Sequence, residues 1–209
     1  MFASKKKIFC VGRNKTGTTS LEAAFVELGY RVGNWAKAEL LIAEWERRDF
    51  KKIISFCRTA QAFRDVPFSL PYTYQAVDMA YPGSKFILTV RDSSEQWYES
   101  VVRFHTKIIG NKRRPTPDDL KEFSYRYKGY LWRLQKSVYG ADERTLYNRD
   151  LYIRQYEEHN EAVRNYFRFR SDDLLELNLG QPDAMQQLCR FLGVKFTGQT
   201  MGHHNRSGD

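Results

Sequence analysis

Residues 10–25, CVGRNKTGTTSLEAAF, join a short apolar run to a predicted helix. The run KIFCV ends at Gly12, and Gly17 follows five positions later. Glycine reaches backbone conformations that other residues avoid, so a loop bounded by two glycines can turn several amides toward one anion. In a parallel sheet such a loop lies at the carboxyl end of a strand, where anionic ligands bind. This stretch therefore predicts a phosphate-binding loop between a strand and a helix.

The lysine of this loop stands in an unusual place. The common phosphate loop of ATP-binding proteins reads GxxxxGK[ST], but Thr18 occupies the lysine position here and Lys15 lies three residues earlier. The common lysine reaches the β- and γ-phosphates, and the hydroxyl after it holds magnesium. A lysine on the approach to the loop instead meets the anion at its bridging and terminal oxygens. The residues predicted to surround the anion, through amides and hydroxyls, are Thr16, Gly17, Thr18, Thr19 and Ser20.

Predicted strands and helices alternate along the rest of the chain. Strands are predicted at 7–11, 60–63, 85–90 and 174–179, and helices at 18–28, 36–48, 50–57, 68–81, 93–103, 117–139, 150–167 and 182–192. This order indicates a three-layer α/β fold of the P-loop type, with a mostly parallel central sheet flanked by helices. The length of 209 residues fits a single domain.

The net charge of +9 at pH 7 predicts an anionic partner, which could be a nucleic acid, a membrane surface or a small molecule. The positive residues are scattered, apart from KKK at 5–7 and NKRRP at 111–115. The chain has no zinc-finger spacing, RNP motif or heptad zipper. A small anionic ligand is therefore favoured, and no nucleic-acid partner is expected.

Three cysteines, Cys10, Cys57 and Cys189, lie far apart in apolar settings. This pattern favours buried thiols in a reducing compartment, which predicts a cytoplasmic protein. No run approaches eighteen apolar residues, and the apolar run near the N-terminus is too short for a signal peptide. No membrane span is expected.

The segment NKTGTTSL resembles the 5′-phosphosulfate loop of sulfotransferases, which reads roughly K-[ST]-G-T-[TS]. The segments FRDVPF, YPGSKFILTVRD, YEEHNEAVRNYF, DDLLELNL and LCRFLG also resemble small sulfotransferase-family proteins, so the likeness spans most of residues 7–205 and is poorest around 104–145. The resemblance implies the donor 3′-phosphoadenosine 5′-phosphosulfate (PAPS) and the product 3′-phosphoadenosine 5′-phosphate (PAP). A sulfonate bears less charge than a γ-phosphate, so no metal is expected and the Lys15 ammonium suffices.

The family holds the 3′-phosphate of the donor with an arginine just past a buried strand and a serine about two turns into the next helix. In KFILTVRDSSEQWYES the arginine is Arg91, whose planar fork can bind two phosphate oxygens. Ser100 is the corresponding serine, nine residues after Arg91, where the family usually has eight. Glu99 holds the usual position and would repel phosphate, so an extra residue in the DSS turn is needed to restore the register.

The resemblance also implies a histidine or a carboxylate that takes the proton of the sulfuryl acceptor. Asp65, in AFRDVPF, follows a predicted strand and precedes Pro67, which places a carboxylate at the ligand edge of the sheet. His105 is the second candidate for the base, near the end of the helix after Arg91. At the C-terminus, Asn205 and Arg206 resemble the closing segment of the family.

The predicted function is sulfuryl transfer to a hydroxyl or amine of a small-molecule or carbohydrate acceptor. The expected acceptor pocket draws on the aromatic-rich stretches 33–48 and 68–78 and on 104–147, a helical insertion on the acceptor side. Two alternatives stay open: a small-molecule kinase using ATP and magnesium, and a nucleotide-binding module without catalytic activity. Neither the acceptor nor the oligomeric state follows from the sequence.

Overall fold

The computed structural model describes residues 6–109, 112–198 and 200–202. Within them, four strands form one sheet: β1 (Ile8–Cys10), β2 (Ala62–Phe63), β3 (Lys85–Val90) and β4 (Leu174–Asn178). The strand order is β2-β1-β3-β4, and every neighbouring pair is parallel. The carboxyl ends of the four strands therefore meet at one edge of the sheet. The predicted parallel sheet is confirmed.

The helices of the described residues separate these strands along the chain. They are α1 (Thr18–Glu27), α2 (Trp35–Glu39), α3 (Ile42–Glu46), α4 (Lys51–Phe56), α5 (Thr73–Ala80), α6 (Ser94–Ile109), α7 (Pro117–Glu122), α8 (Tyr130–Tyr139), α9 (Arg149–Phe167) and α10 (Ala184–Leu192). The chain divides into two compact units. The first takes in the described residues of 1–92 and 160–205, and the second takes in those of 93–159.

One face of the sheet packs against α1 and α10. Ile8, Cys10 and Ile87 alternate with their neighbours along β1 and β3, so they point to the same face. They form a buried apolar cluster with side chains of the two helices, among them Phe25 and Leu188. Burial of such side chains stabilises the fold by about 1.5–3 kcal/mol each.

The other face of the sheet is aromatic. Phe9, which alternates with Ile8 and Cys10, stacks on Phe63 of β2 with ring centroids 5.6 Å apart and on Phe86 of β3 at 5.5 Å. Phe86 in turn contacts Phe167 at the end of α9, at 4.7 Å. Helices therefore cover both faces of the sheet, and the predicted three-layer α/β fold is confirmed.

The second compact unit is helical and also has an aromatic core. Trp97 of α6 stacks on Tyr156 of α9 with ring centroids 4.4 Å apart, and Tyr139 of α8 stacks on Tyr152 at 4.5 Å. The predicted insertion, 104–147, lies within this unit. That residues 1–209 form a single domain with this insertion on the acceptor side stays a prediction.

The prediction of one continuous helix over 117–139 is wrong, because the chain forms α7 and α8 with a break at 123–129. Its predicted start is confirmed: the Thr116 hydroxyl accepts from the Asp119 amide, and the Asp119 carboxylate accepts from the Thr116 amide. The break ends at Gly129, whose φ of 80° is left-handed and whose amide donates to Phe123. The helix predicted over 36–48 is likewise divided, into α2 and α3.

Candidate active site

The predicted phosphate loop, which runs from Gly12 to Gly17, begins where β1 meets the end of β3. The Val11 amide donates to the Ile87 carbonyl at 2.8 Å. A Cβ at Gly12 would lie 2.2 Å from the Thr89 hydroxyl oxygen and 2.4 Å from the Thr89 carbonyl oxygen. Only glycine fits at this position, because the loop passes directly against β3.

The second glycine places the start of α1. Gly17 has a φ of 96°, and a Cβ there would lie 2.6 Å from Cδ1 of Leu179, the residue after β4. The first helical hydrogen bond is donated by Leu21 to the Gly17 carbonyl. The amides of Thr18 and Thr19 therefore have no intrahelical acceptor, and Gly17 has no side chain to cap them. A helix N-terminus of this kind attracts an anion through its amides and its dipole.

Thr16 has a different role from the neighbouring threonines. Its hydroxyl donates to the Arg13 carbonyl at 2.5 Å and accepts from the Thr89 hydroxyl at 2.5 Å. The Cys10 thiol lies 3.6 Å from the same Thr89 hydroxyl. Because the Thr16 hydroxyl is engaged inside the loop, only the amide of Thr16 is suited to the predicted anion contact.

The two predicted basic anchors meet in this loop. Lys15 has a left-handed backbone with a φ of 68°, which is uncommon outside glycine and asparagine. The Arg91 Nε donates to the Lys15 carbonyl at 2.7 Å, although 76 positions separate the two residues along the chain. Arg91 follows β3 directly, so the hydrogen bond joins the ends of the two central strands.

Arg13 ties the loop to the segment after β2. Its guanidinium is buried, with 1% of the residue exposed, and Nη1 donates to the Ser69 carbonyl at 3.3 Å. Segments that follow β2, β3 and β4 thus all contact the loop, through Ser69, Arg91 and Leu179.

Asp65 lies two residues beyond β2, at the same edge of the sheet. Its backbone is left-handed, with a φ of 58°, and the residue is 8% exposed. Oδ2 accepts a hydrogen bond from Nη1 of Arg64. Oδ1 is buried and has no hydrogen-bond partner among the residues that the structure describes. One oxygen of this carboxylate is thus held by a cation, and the other is left without a donor among the described residues.

Arg64 is the cation of a buried cluster with two carboxylates. Its Nε donates to Glu22 of α1 at 2.6 Å, and its Nη2 donates to the same oxygen. Burial lowers the pKa of Arg64, but the charges of Asp65 and Glu22 outweigh it and raise the pKa. Arg64 therefore keeps its positive charge near neutral pH.

Cysteine chemistry is not favoured at this edge of the sheet. Burial raises the pKa of the Cys10 thiol to about 12, so the nucleophilic thiolate is scarce near neutral pH. Burial also raises the pKa of the Cys57 thiol, which lies before β2 toward the amino ends of the strands, to about 12. The prediction of three buried cysteines without disulfides is confirmed.

Ser100 and His105 belong to the second unit and are both buried. The Nδ1 of His105 lies 2.7 Å from the Tyr147 hydroxyl, and burial raises the pKa of that tyrosine. This packed setting favours a structural role for His105 over that of the base. On α6 Ser100 is buried and Glu99 is exposed. The predicted pairing of Ser100 with Arg91 stays a prediction.

Some predictions concern features outside this edge of the sheet. Asn205 and Arg206 lie outside the described residues. Among residues 6–109, 112–198 and 200–202, no three His, Cys, Asp or Glu side chains are grouped to hold a metal ion. No helix in those ranges has the length and apolarity that crossing a membrane requires.

A cavity of about 560 Å³ lies at the opposite edge of the sheet, where β1 and β3 begin. Its lining includes Ile8, Leu28, Tyr30, Lys85 and Phe191. Because it is at the amino ends of the strands, it is separate from the loop and from Asp65.

Several residues of the site were not predicted from the sequence. They are Arg13, Glu22, Arg64, Ser69, Thr89 and Leu179. Two of them carried a signal in the sequence: Arg64 is a cation adjacent to the predicted base, and Thr89 is a hydroxyl near the end of a buried strand. Ser69 acts through its backbone carbonyl and Leu179 by contact, while Arg13 and Glu22 act through side chains whose partners lie 56 and 42 positions away along the chain, which residue type alone does not reveal.

Comparison with known proteins identifies the family of this chain. A family model described as a sulfotransferase domain matches residues 7–209. No curated protein sequence matches the chain. The family match covers β1, the phosphate loop, Asp65 and Arg91 together.

Proposed function

This chain belongs to the sulfotransferase domain family, and from that membership we propose that it transfers a sulfuryl group from PAPS to a hydroxyl or amine of a small-molecule or carbohydrate acceptor. The observation that carries the proposal is the hydrogen bond from Arg91 to the Lys15 carbonyl. It joins the two cationic residues that a donor with phosphates at both ends requires.

The residues of the loop fit such a donor. The contacts at Gly12 and Gly17 leave no room for side chains, so the backbone itself lines the loop. The uncapped amides at the start of α1 would hold the 5′-phosphosulfate, together with the Thr18 and Thr19 hydroxyls. Arg91 would hold the 3′-phosphate, and Ser100 is proposed to assist it. When bound, the donor supplies an activated sulfonate.

The reaction then needs a base and a cation at fixed positions. Oδ1 of Asp65 takes the proton that the acceptor loses as its oxygen or nitrogen bonds to sulfur. The Lys15 ammonium donates to the phosphate oxygen that keeps the electron pair of the broken sulfur–oxygen bond. The products are the sulfated acceptor, PAP and a protonated Asp65, which returns its proton to solvent. The chain supplies fixed charges and orientation, which account for most of the rate enhancement in such reactions.

Nucleotide selectivity tests this proposal. PAP at about 100 times its dissociation constant, without metal, is expected to raise the free energy of unfolding by about 2.7 kcal/mol. In a protein of this size that corresponds to about 5–11 °C in Tm. Adenosine 5′-phosphate at the same concentration is expected to give a smaller shift, because it lacks the 3′-phosphate that Arg91 would bind.

The same thermal unfolding experiment separates the alternatives. Stabilisation by ATP with magnesium, and none by PAP, would support a small-molecule kinase and contradict the proposal. A nucleotide-binding module would bind PAP, yet transfer no labelled sulfate from PAPS to any member of an acceptor library. Transfer of labelled sulfate to one class of acceptor would support the proposal and identify the substrate class.

Arg91 gives a second prediction, because its hydrogen bond to the Lys15 carbonyl adds to its proposed contact with the 3′-phosphate. Arg91→Met is expected to weaken PAP binding by about 10- to 100-fold, as loss of charged hydrogen bonds does. The same change is also expected to weaken the binding of adenosine 5′-phosphosulfate, which has no 3′-phosphate, by about 2- to 10-fold. The second loss arises because Lys15 is no longer held.

Calorimetry with both nucleotides checks this prediction. Arg164→Met is a matched control, because Arg164 forms a surface ion pair with Glu176 at 2.7 Å in the same compact unit. That variant is expected to bind both nucleotides normally. Unchanged affinity of Arg91→Met for adenosine 5′-phosphosulfate would show that Arg91 does not position the loop.

A further inference from the structure

Arg64 joins two elements of the site. Its guanidinium lies between Glu22 of α1 and Asp65 of the segment after β2. Nε and Nη2 both donate to Oε2 of Glu22, and Nη1 donates to Oδ2 of Asp65. The Arg64 guanidinium also lies over the Trp35 ring, with its carbon 5.2 Å from the ring centroid. Only 7% of Arg64 is exposed, so packing as well as charge fixes its conformation.

The contacts on the two carboxylates are unequal. Glu22 is partly exposed, with 28% of its side chain accessible, and can also be solvated. Asp65 is buried, and its Oδ1 has no partner among the described residues. Native proteins rarely leave a buried carboxylate oxygen without a donor, because its desolvation is not offset by a hydrogen bond. Arg64 binds only one side of Asp65 and leaves the other oxygen available.

The position of Glu22 adds a second constraint. Glu22 lies one turn along α1, the helix whose N-terminus forms the end of the phosphate loop. A planar guanidinium that binds Glu22 and Asp65 together fixes the Asp65 carboxylate relative to that helix. A lysine has no planar fork, so it could not hold both carboxylates in the same way.

We propose that Arg64 is a positioning residue for Asp65. Held by Glu22 and Trp35, it fixes Asp65 through Oδ2, so that Oδ1 is the oxygen that receives the acceptor's proton. The proposal rests on the proposed function, in which Asp65 is the base. It assigns the Glu22–Arg64 pair a role in kcat rather than in nucleotide binding.

A double-mutant cycle on kcat tests the proposal. Arg64→Met is expected to lower kcat by about 10- to 100-fold, the effect of a misplaced reacting group. In the Asp65→Asn background the same change is expected to cost less than about threefold, because the group that Arg64 positions is already gone. The Kd for PAP, measured by calorimetry, is expected to stay within about threefold of wild type in all variants.

Arg170→Met is the matched control, because Arg170 binds the buried Asp78 at 2.6 Å in the same compact unit. It is expected to lower Tm and leave kcat unchanged. An equal loss of kcat from Arg64→Met in both backgrounds would overturn the proposal, because it would show that Arg64 acts independently of Asp65. Should Arg64→Met fail to fold, Arg64→Lys keeps the charge, removes the planar fork and takes its place with the same expectations.

Structures of the nucleotide-free proteins separate this proposal from the proposed function. Wild type is expected to hold Asp65 in one conformer, and Arg64→Met is expected to show more than one. A single unchanged Asp65 conformer in the variant would overturn the proposal whether or not the protein transfers sulfate. A second outcome combines a single Asp65 conformer in wild type with full kcat in Asp65→Asn. It would contradict the role of Asp65 as the base and still support the contact by which Arg64 positions it.

Discussion

Asp65→Asn is expected to lower kcat by about 10²- to 10⁴-fold, the usual contribution of a positioned general base. Asparagine has nearly the shape of aspartate and can still bind Arg64 through its amide oxygen, so the local structure is expected to persist. Its amide cannot take a proton from the acceptor at neutral pH. The Kd for PAP is expected to stay near the wild-type value, because Asp65 is assigned no contact with the nucleotide.

Asp78→Asn is the matched control for this change. Asp78 is also 8% exposed, and its Oδ2 also accepts from an arginine, Arg170, at 2.6 Å. Both substitutions remove a buried negative charge beside a cation, so both are expected to cost stability. Only Asp65→Asn is expected to reduce turnover of the folded enzyme, measured as labelled-sulfate transfer at saturating PAPS. Equal kcat values for the two variants would contradict the proposal that Asp65 is the general base.

The strands and several helix ends were predictable because their signals are local. The strand predicted at 85–90 matches β3, since a short β-branched run between turns has few alternatives. Gly17 before α1 and Gly193 after α10 both have a left-handed backbone, which glycine adopts without strain. A single glycine in the sequence therefore indicates each of these helix ends. The capping box at Thr116 is equally local.

The side-chain contacts of the site were not predictable because they join residues far apart in sequence. The Thr16–Thr89 hydrogen bond spans 73 positions, and the Arg64–Glu22 contact spans 42. They depend on how β1 and β2 pair and on the distance between β1 and β3. A single sequence placed Arg91 and Lys15 at the same edge, but it did not reveal that Arg91 binds the backbone of Lys15.

The break between α7 and α8 shows a different limit of the sequence analysis. Apolar spacing across 117–139 is compatible with one helix, but the chain instead brings two aromatic residues of the break onto α8. Tyr125 stacks on Tyr130 with ring centroids 5.9 Å apart, and Tyr127 meets the same ring edge-on at 5.3 Å. Tertiary packing of this kind outweighs local helix propensity, which differs by less than about 1 kcal/mol per residue.

Lys15→Met is expected to lower kcat by about 10²- to 10³-fold, the effect of removing one donor aimed at developing negative charge. The leaving oxygen of the donor gains charge as the sulfur–oxygen bond breaks, so the ammonium is worth more in the transition state than in the ground state. Methionine keeps the length and the unbranched Cβ of lysine. The left-handed backbone at Lys15 is therefore no more strained in the variant, and the Arg91 hydrogen bond to the carbonyl can persist.

Lys112→Met is a control for the same chemical change in the same backbone conformation. Lys112 also has a left-handed φ, of 51°, is exposed and belongs to the second compact unit. Its variant is expected to keep the wild-type kcat. The Kd of Lys15→Met for PAP is also expected to rise, because PAP retains the phosphate oxygen to which the ammonium is proposed to donate.

Lys15→Arg tests whether charge alone is enough. An arginine keeps the positive charge but presents a planar fork where a compact ammonium is proposed, so it is expected to recover only part of the lost kcat. Rates at saturating PAPS, normalised to the fraction of folded protein, measure the effect. Wild-type kcat in Lys15→Met would mean that the lysine before the second glycine does not stabilise the leaving oxygen, and the proposed reaction would lose its principal source of charge stabilisation.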